Sequence, residues 1–133
     1  MSEIIVLDTH VWLWFINGNL DRFPSHWLDK IEAASRVGVS PASCYEIALA
    51  HNRGRIELLS TAEEWFESSL ANAGIELFPL TEVVAIRAVE LSPIHKDPFD
   101  RLIIATALVN GAKLASVDRV FSRYPELDIC LMK

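Results

Sequence analysis

Short apolar runs alternate with longer mixed segments along this chain, and the alternation predicts its secondary structure. Residues 4–7, Ile-Ile-Val-Leu, are a β-branched run that predicts a buried strand ending in the polar pair Asp8-Thr9. Comparable short runs predict four further strands, at residues 37–39, 75–78, 113–116 and 128–131. The segments between them predict helices, at residues 24–35, 41–52, 61–73, 81–91 and 98–110. Residues 10–16 are apolar and aromatic, and Asn17-Gly18-Asn19 ends that run.

Capping residues support the predicted helix boundaries. Ser40 before Pro41 suits an N-cap followed by the first helical position, and Asp97 before Pro98 repeats the arrangement. The sequence Thr-Ala-Glu-Glu at residues 61–64 has the capping-box pattern. Glycines at positions 54, 74 and 111 follow predicted helices, where a left-handed residue commonly ends a helix.

Strands that alternate with helices predict an α/β fold in which a parallel sheet is covered on both faces. The chain has 133 residues and shows no repeat, linker or low-complexity stretch, so we expect one domain over residues 1–133. In such folds ligands bind at the carboxyl ends of the strands. Asp8 directly follows one predicted strand, and Asp118 comes two residues after another. This edge of the sheet is therefore where a site is expected.

Composition and charge restrict the function further. Hydrophobic residues make up 51% of the chain, as in globular proteins. A net charge of −6 argues against general attraction to nucleic acid through a basic face, but it permits acids clustered around cations. No apolar run reaches the ~20 residues of a membrane span. The first residues lack signal-peptide features, so we expect a cytoplasmic protein.

The motifs of the common enzyme classes are missing from the sequence. It contains no phosphate-binding loop, dinucleotide-binding fingerprint, nucleophile elbow or zincin motif. The histidines show no zinc spacing and are expected on the surface or satisfied in the core: His10, His26, His51 and His95. Cys44 and Cys130 also lack metal-ligand spacing, and we expect buried small residues, with a disulfide or reactive thiol as the alternative.

Four acids stand out, and each also has an ordinary structural interpretation. Asp8 could form an Asx-turn or cap the next helix. Glu46 shares its helix face with small and apolar residues, unlike a solvated acid, although an exposed helix position remains open. Asp100 lies in the first turn of an apolar helix, where it could simply stabilise the helix dipole. Asp118 could cap residues 119–123. For a fifth acid, Asp97, the N-cap role is the leading interpretation.

If the four acids converge, they require a cation. Two carboxylates ~4 Å apart repel by about 4 kcal/mol at an effective dielectric constant of 20. An all-oxygen site suits Mg²⁺ or Mn²⁺. The chemistry that fits such a site is in-line attack on a phosphodiester by metal-activated water.

Four motifs, in order along nearly the whole chain, resemble PIN-domain proteins of the VapC toxin type. They are Leu-Asp-Thr-His-Val-Trp-Leu-Trp at residues 7–14, Tyr-Glu-Ile-Ala at 45–48, His-Lys-Asp-Pro-Phe-Asp-Arg-Leu-Ile-Ile-Ala-Thr-Ala at 95–107, and Ser-Val-Asp at 116–118. The first and third are specific, whereas the second is weak alone. Ser116 stands where the family commonly has Thr, so a hydroxyl is retained.

The resemblance implies a three-layer α/β/α sandwich and a Mg²⁺- or Mn²⁺-dependent endoribonuclease that is inhibited by a partner antitoxin. We also expect a homodimer. Carried over residue by residue, the family's four metal-binding catalytic acids match Asp8, Glu46, Asp100 and Asp118. Asp97 has no counterpart among those four acids.

The sequence is also compatible with three different functions. Residues 40–56 faintly resemble the start of a helix-turn-helix DNA-binding module, although acidic residues follow it. A PIN fold could be kept only for binding, or it could cut single-stranded DNA.

Some of Trp12, Trp14 and Phe15 could line a groove for an antitoxin helix instead of packing in the core. Candidate phosphate-binding residues are Arg53, Arg55, Lys96 and Arg101.

Overall fold

A four-stranded parallel sheet forms the centre of the molecule, in a computed structural model that describes residues 3–133. The strands are β1 (Ile4–Leu7), β2 (Arg36–Val39), β3 (Glu76–Leu77) and β4 (Lys113–Ala115), in the spatial order β3-β2-β1-β4. Ile5 of the central strand β1 pairs with Val37 on one side and Lys113 on the other. This register places the carboxyl ends of β1 and β4 side by side.

Six α-helices connect and cover the strands. They are α1 (Thr9–Asn17), α2 (His26–Ala33), α3 (Pro41–Asn52), α4 (Ala62–Ser69), α5 (Glu82–Glu90) and α6 (Pro98–Val109). The expected caps are present: the Ser40 hydroxyl accepts from the N–H of Ala42, and the Thr61 hydroxyl accepts from the N–H of Glu64. Among the described residues, no helix combines the length and apolar character that a membrane crossing needs.

Alternate residues of β1 face opposite layers of the molecule. Ile5 and Leu7 belong to a core shared with α1, α2 and α4, whereas Val6 belongs to a second core built largely by α6 and the C-terminal segment. Helix α5 packs outside α6. Because a strand's side chains point alternately to its two faces, helices are required on both sides. The predicted three-layer α/β/α sandwich with a central parallel sheet is confirmed.

Three element predictions are corrected. Residues 128–131 are not a strand, because the N–H groups of Cys130 and Leu131 turn back to the carbonyl of Leu127, leaving a single bridge between Leu131 and Leu114. The helix expected over 61–73 ends at Ser69, since Leu70 leaves helical geometry at φ −109° and ψ −105°. The helix expected over 24–35 covers only α2.

The aromatic run of α1 contributes mainly to the core. Trp12 is fully buried, its indole N–H donates to the carbonyl of Ser69 at 3.1 Å, and its ring contacts Trp65. A partner groove that includes Trp12 is therefore wrong, whereas Trp14 and Phe15 remain half-buried. Both cysteines are free and half-buried, so the disulfide interpretation is also wrong.

Candidate metal centre

A cavity of about 370 Å³ lies at the carboxyl ends of β1 and β4. All four predicted acids line it, although they come from four separate parts of the chain: Asp8, Glu46, Asp100 and Asp118. Asp97, for which the N-cap role is the leading interpretation, lines it as well. The expected convergence at this edge of the sheet is what the structure shows.

Asp8 performs its structural role and faces the cavity at the same time. It is the N-cap of α1, and one carboxylate oxygen accepts from the N–H of Thr9 at 2.8 Å. The other oxygen accepts from the Ser116 hydroxyl at 2.7 Å. Burial raises the pKa of Asp8 above its usual range, while these two hydrogen bonds act in the opposite direction. The capping and site interpretations are thus compatible.

Glu46 is held by hydroxyl groups across the interface between α1 and α3. The Thr9 hydroxyl donates to Glu46 Oε1 at 2.7 Å and lies 2.8 Å from the buried Ser43 hydroxyl. Partial burial raises the pKa of Glu46, and the negative charges of Asp8 and Asp97 raise it further. Glu46 is therefore a positioned and partly desolvated acid, which is not the behaviour of an exposed helix residue.

Asp100 combines partial burial with repulsion from the neighbouring acids of the cavity. Burial first, and then repulsion from Asp97, Asp8 and Glu46, raise its pKa to about 7. Its Oδ2 lies 3.1 Å from Nε2 of His95. The other ring nitrogen of His95, Nδ1, accepts from the N–H of Asp97 at 3.2 Å. That bond leaves the ring hydrogen on Nε2, where it donates to Asp100.

Asp118 is more exposed and is tied to the centre through Ser116. The N–H of Asp118 donates to the Ser116 hydroxyl at 3.1 Å, and that hydroxyl in turn donates to Asp8. One Asp118 carboxylate oxygen accepts from the N–H of Val120 at 2.9 Å, so the predicted cap of the following segment is also present. The retained hydroxyl of Ser116 thus links two of the acids.

The donor set fits a hard divalent cation. Carboxylate oxygens with partial burial and mutual repulsion are stabilised when a cation balances their charge. His95, Asp97 and Asp100 offer ligand atoms within 4.8 Å of one another, whereas no three of the four predicted acids meet that spacing within residues 3–133. Mg²⁺ commonly binds through one or two carboxylates, waters and substrate phosphate, so the wider spacing is compatible with it.

Three residues at the centre, Thr9, His10 and His95, were not predicted from the sequence, and Arg101 differs from its prediction. His10 and Thr9 line the cavity and His95 contacts Asp100, yet no zinc-type spacing marked the histidines. The only available signal was their position beside Asp8 and Asp97 in the motifs. Arg101 is not a free phosphate ligand, because its guanidinium donates to backbone carbonyls of the segment before α6, including Leu91 at 2.8 Å and His95 at 3.1 Å.

Comparisons with known proteins agree with this architecture. The PIN domain family matches residues 5–127. Ribonuclease VapC22 of Mycobacterium tuberculosis (strain ATCC 25618 / H37Rv) is 32% identical over 116 residues, which are 86% of this chain and 87% of that protein.

Solved structures of lower identity share the fold. The crystal structure of VapBC2 from Rickettsia felis bound to a DNA fragment from their promoter has a TM-score of 0.66 at 20% identity, covering 93% of this chain and 95% of that one. The crystal structure of DNA-bound VapBC from Salmonella typhimurium has a TM-score of 0.65 at 19% identity, covering 96% of each chain. The extent of the family match and the identity to the mycobacterial ribonuclease show that this chain belongs to the PIN domain family.

Proposed function

We propose that the chain is a single PIN-type nuclease domain over residues 1–133 that hydrolyses RNA internally with Mg²⁺ or Mn²⁺. The observation that carries the proposal is the cavity at the strand ends, where five carboxylates converge and the pKa of Asp100 rises to about 7. Acids that repel one another in a shared cavity are typical of functional sites. The 32% identity to a ribonuclease of the same family supports RNA as the substrate class.

Asp8, Glu46, Asp100 and Asp118 are the proposed metal-binding and catalytic residues. When bound, the cation would balance their charge, activate water and stabilise the leaving oxygen. Thr9 orients Glu46 through its hydroxyl hydrogen bond, and Ser116 does the same for Asp8. These hydroxyls keep the carboxylates directed toward the cavity before the substrate arrives.

Hydrolysis by water leaves a chemical signature on the products. Water attacks phosphorus without using the ribose 2′-hydroxyl, so the products should carry 5′-phosphate and 3′-hydroxyl ends. A cleavage assay on RNA with Mg²⁺, with Mn²⁺ and with EDTA tests the proposal. Full activity in EDTA, or 2′,3′-cyclic phosphate ends, would contradict it. Cleavage of single-stranded DNA in place of RNA would indicate a DNA nuclease, and RNA binding without cleavage would indicate a binding module.

We also propose a partner, a cellular location and an oligomeric state. The proposed ribonuclease is the toxin of a toxin–antitoxin pair, acts in the cytoplasm and forms a homodimer. Solved structures that share its fold are VapBC complexes, which supports an antitoxin partner. Expression of the wild type should stop cell growth, and expression of Asp100→Asn should not. Growth arrest by both proteins would show that toxicity does not depend on RNA cleavage.

A further inference from the structure

A second cavity, of about 400 Å³, adjoins the metal centre along helix α3. The two cavities share Thr9, His10 and Glu46. A ligand that extends out of the metal centre on this side therefore enters the second cavity directly. Leu13, Ile47 and Ile56 give its wall an apolar character.

Two arginines line this second cavity. Arg53 and Arg55 are exposed, and within residues 3–133 neither makes a salt bridge. Both cations lie beside an acidic centre, in a chain with 18 acidic and 12 basic residues. Their charge suits an anionic ligand whose negative groups continue beyond the metal centre.

An aromatic pair borders the same cavity. The ring of Phe99 lines it, and Tyr45 stacks on Phe99 with the ring centroids 5.0 Å apart and an interplanar angle of 22°. Tyr45 is 56% exposed. These residues directly precede Asp100 and Glu46 in the chain, so the aromatic pair is fixed relative to two of the acids.

We propose that this second cavity is a nucleotide-binding subsite. It accepts one base of the RNA strand against Phe99, with Arg53 and Arg55 binding the neighbouring phosphates. An acidic peptide would satisfy the arginines but would leave the aromatic surface unused, whereas a nucleotide uses both features. This inference rests on the proposed ribonuclease function, because it requires an RNA strand at the metal centre.

The experiment measures binding of a single-stranded oligoribonucleotide by fluorescence anisotropy, at times when gels show that the RNA is intact. The double variant Arg53→Ala/Arg55→Ala should bind at least about tenfold more weakly. Loss of two phosphate contacts should also make the slope of log K against log salt concentration shallower by about 1.4. Each contact on a single strand contributes about 0.7 to that slope. The matched control is Lys30→Ala/Arg123→Ala, which removes the same charge at exposed residues outside the cavity and should retain the wild-type salt slope.

The base contact is tested with a series of oligoribonucleotides that lack one base at each position in turn. The wild type should bind one member of the series about tenfold more weakly than the intact RNA. Phe99→Leu keeps the apolar volume but removes the aromatic face, so it should abolish that difference. If Phe99→Leu does not fold, as judged by circular dichroism, the variant Tyr45→Leu at the exposed position should reduce the difference instead.

The outcomes separate this inference from the proposed function. Cleavage by the wild type together with unchanged RNA affinity in the arginine variant would overturn the subsite and leave the ribonuclease intact. If the arginine variant loses affinity for an acidic peptide but not for RNA, the cavity binds a protein partner and the subsite is overturned. A wild type that neither cleaves nor binds RNA would overturn both.

Discussion

The first turn of α6 contacts two regions of the molecule. Its two charged side chains, Asp100 and Arg101, lie in opposite environments there. Asp100 faces the acidic cavity, where its hydrogen-bond partner is His95 and the neighbouring acids repel it. The next residue, Arg101, faces the segment between α5 and α6, where it donates to the carbonyls of Ala88, Val89, Leu91, Ser92 and His95. The negative charge of Asp100 is uncompensated, whereas nearly every guanidinium donor of Arg101 has a carbonyl partner.

The difference shows how to separate functional from structural charges in one element. Removing a charged side chain whose donors are all used leaves its partners unsatisfied, which destabilises the fold. An uncompensated charge weakens the fold unless a ligand balances it. The two regions are joined by His95, whose carbonyl accepts from Arg101 and whose ring donates to Asp100. His95 therefore couples the ordered segment before α6 to the acidic cavity.

The largest expected effect is on stability, from Arg101→Ala. The substitution leaves several carbonyls without donors, so we expect the free energy of unfolding to fall by about 3 kcal/mol. Urea unfolding measures the loss, with the exposed Arg123→Ala as the control. A stability equal to that of the control would show that solvent replaces the Arg101 hydrogen bonds and would remove the contrast between the regions.

Asp100→Asn should leave the protein folded and inactive. Asn keeps the shape of the side chain but lacks the charge that would hold a cation. We expect RNA cleavage to fall by at least about a hundredfold, which corresponds to roughly 2.7 kcal/mol of transition-state stabilisation. Initial rates with saturating Mn²⁺ measure the effect. Activity within a few fold of the wild type would mean that Asp100 is not a catalytic acid.

The stability of the metal-free protein should depend on pH through Asp100. Its pKa is raised from 3.8 to about 7 in the folded protein, so its contribution to stability is fully present below pH 3.8 and is lost as the pH rises through 7. In EDTA, the wild type should therefore lose stability relative to Asp100→Asn over this interval. Urea titrations at several pH values test this, with exposed Asp29→Asn as the control. Parallel curves for wild type and Asp100→Asn would contradict the prediction.

His95→Ala should loosen metal binding because the hydrogen bond that orients Asp100 is lost. We expect the dissociation constant for Mn²⁺, measured by calorimetry, to rise about tenfold. Lys96→Ala, an exposed change in the same segment, should leave that constant unchanged. Equal metal affinity for the wild type and His95→Ala would show that the imidazole is incidental to the site.

The smallest effect is expected at Asp97. Its carboxylate accepts from the N–H of Phe99 at 2.9 Å, as the N-cap interpretation predicts. Asn caps a helix about as well as Asp, so Asp97→Asn should keep the fold and most of the activity. Asp97→Ala should cost about 1 kcal/mol of stability, which thermal or urea unfolding can measure.

Because Asp97 also lines the acidic cavity, its variants separate capping from metal binding. An inactive Asp97→Asn beside an active Asp100→Asn would show that the third catalytic acid is Asp97. Such a result would also assign a functional role to Asp97, which lies one helical turn before Asp100.

Most of the architecture was predictable because its signals are local. Short β-branched runs, the Ser40 cap and the acids that follow β1 and β4 depend on neighbours in sequence. The prediction was wrong at residues 128–131, where an apolar run alone cannot distinguish a strand from a turn that makes one bridge. At Trp12 core packing is confirmed and only the groove alternative fails, because Trp12 packs against Trp65 of α4.

The amino-acid sequence is sufficient to predict the alternation of strands and helices. It therefore also predicts the parallel sheet whose carboxyl edge collects acids from separate segments. Helix and strand periods and cap chemistry act over a few residues, so one sequence was sufficient to read them. Three features depend on the three-dimensional packing: Asp97 lines the cavity, His95 contacts Asp100, and Arg101 donates to backbone carbonyls. These facts follow from burial and from charges brought together by distant segments, because desolvation and Coulomb interactions depend on distance in space and not on separation along the chain.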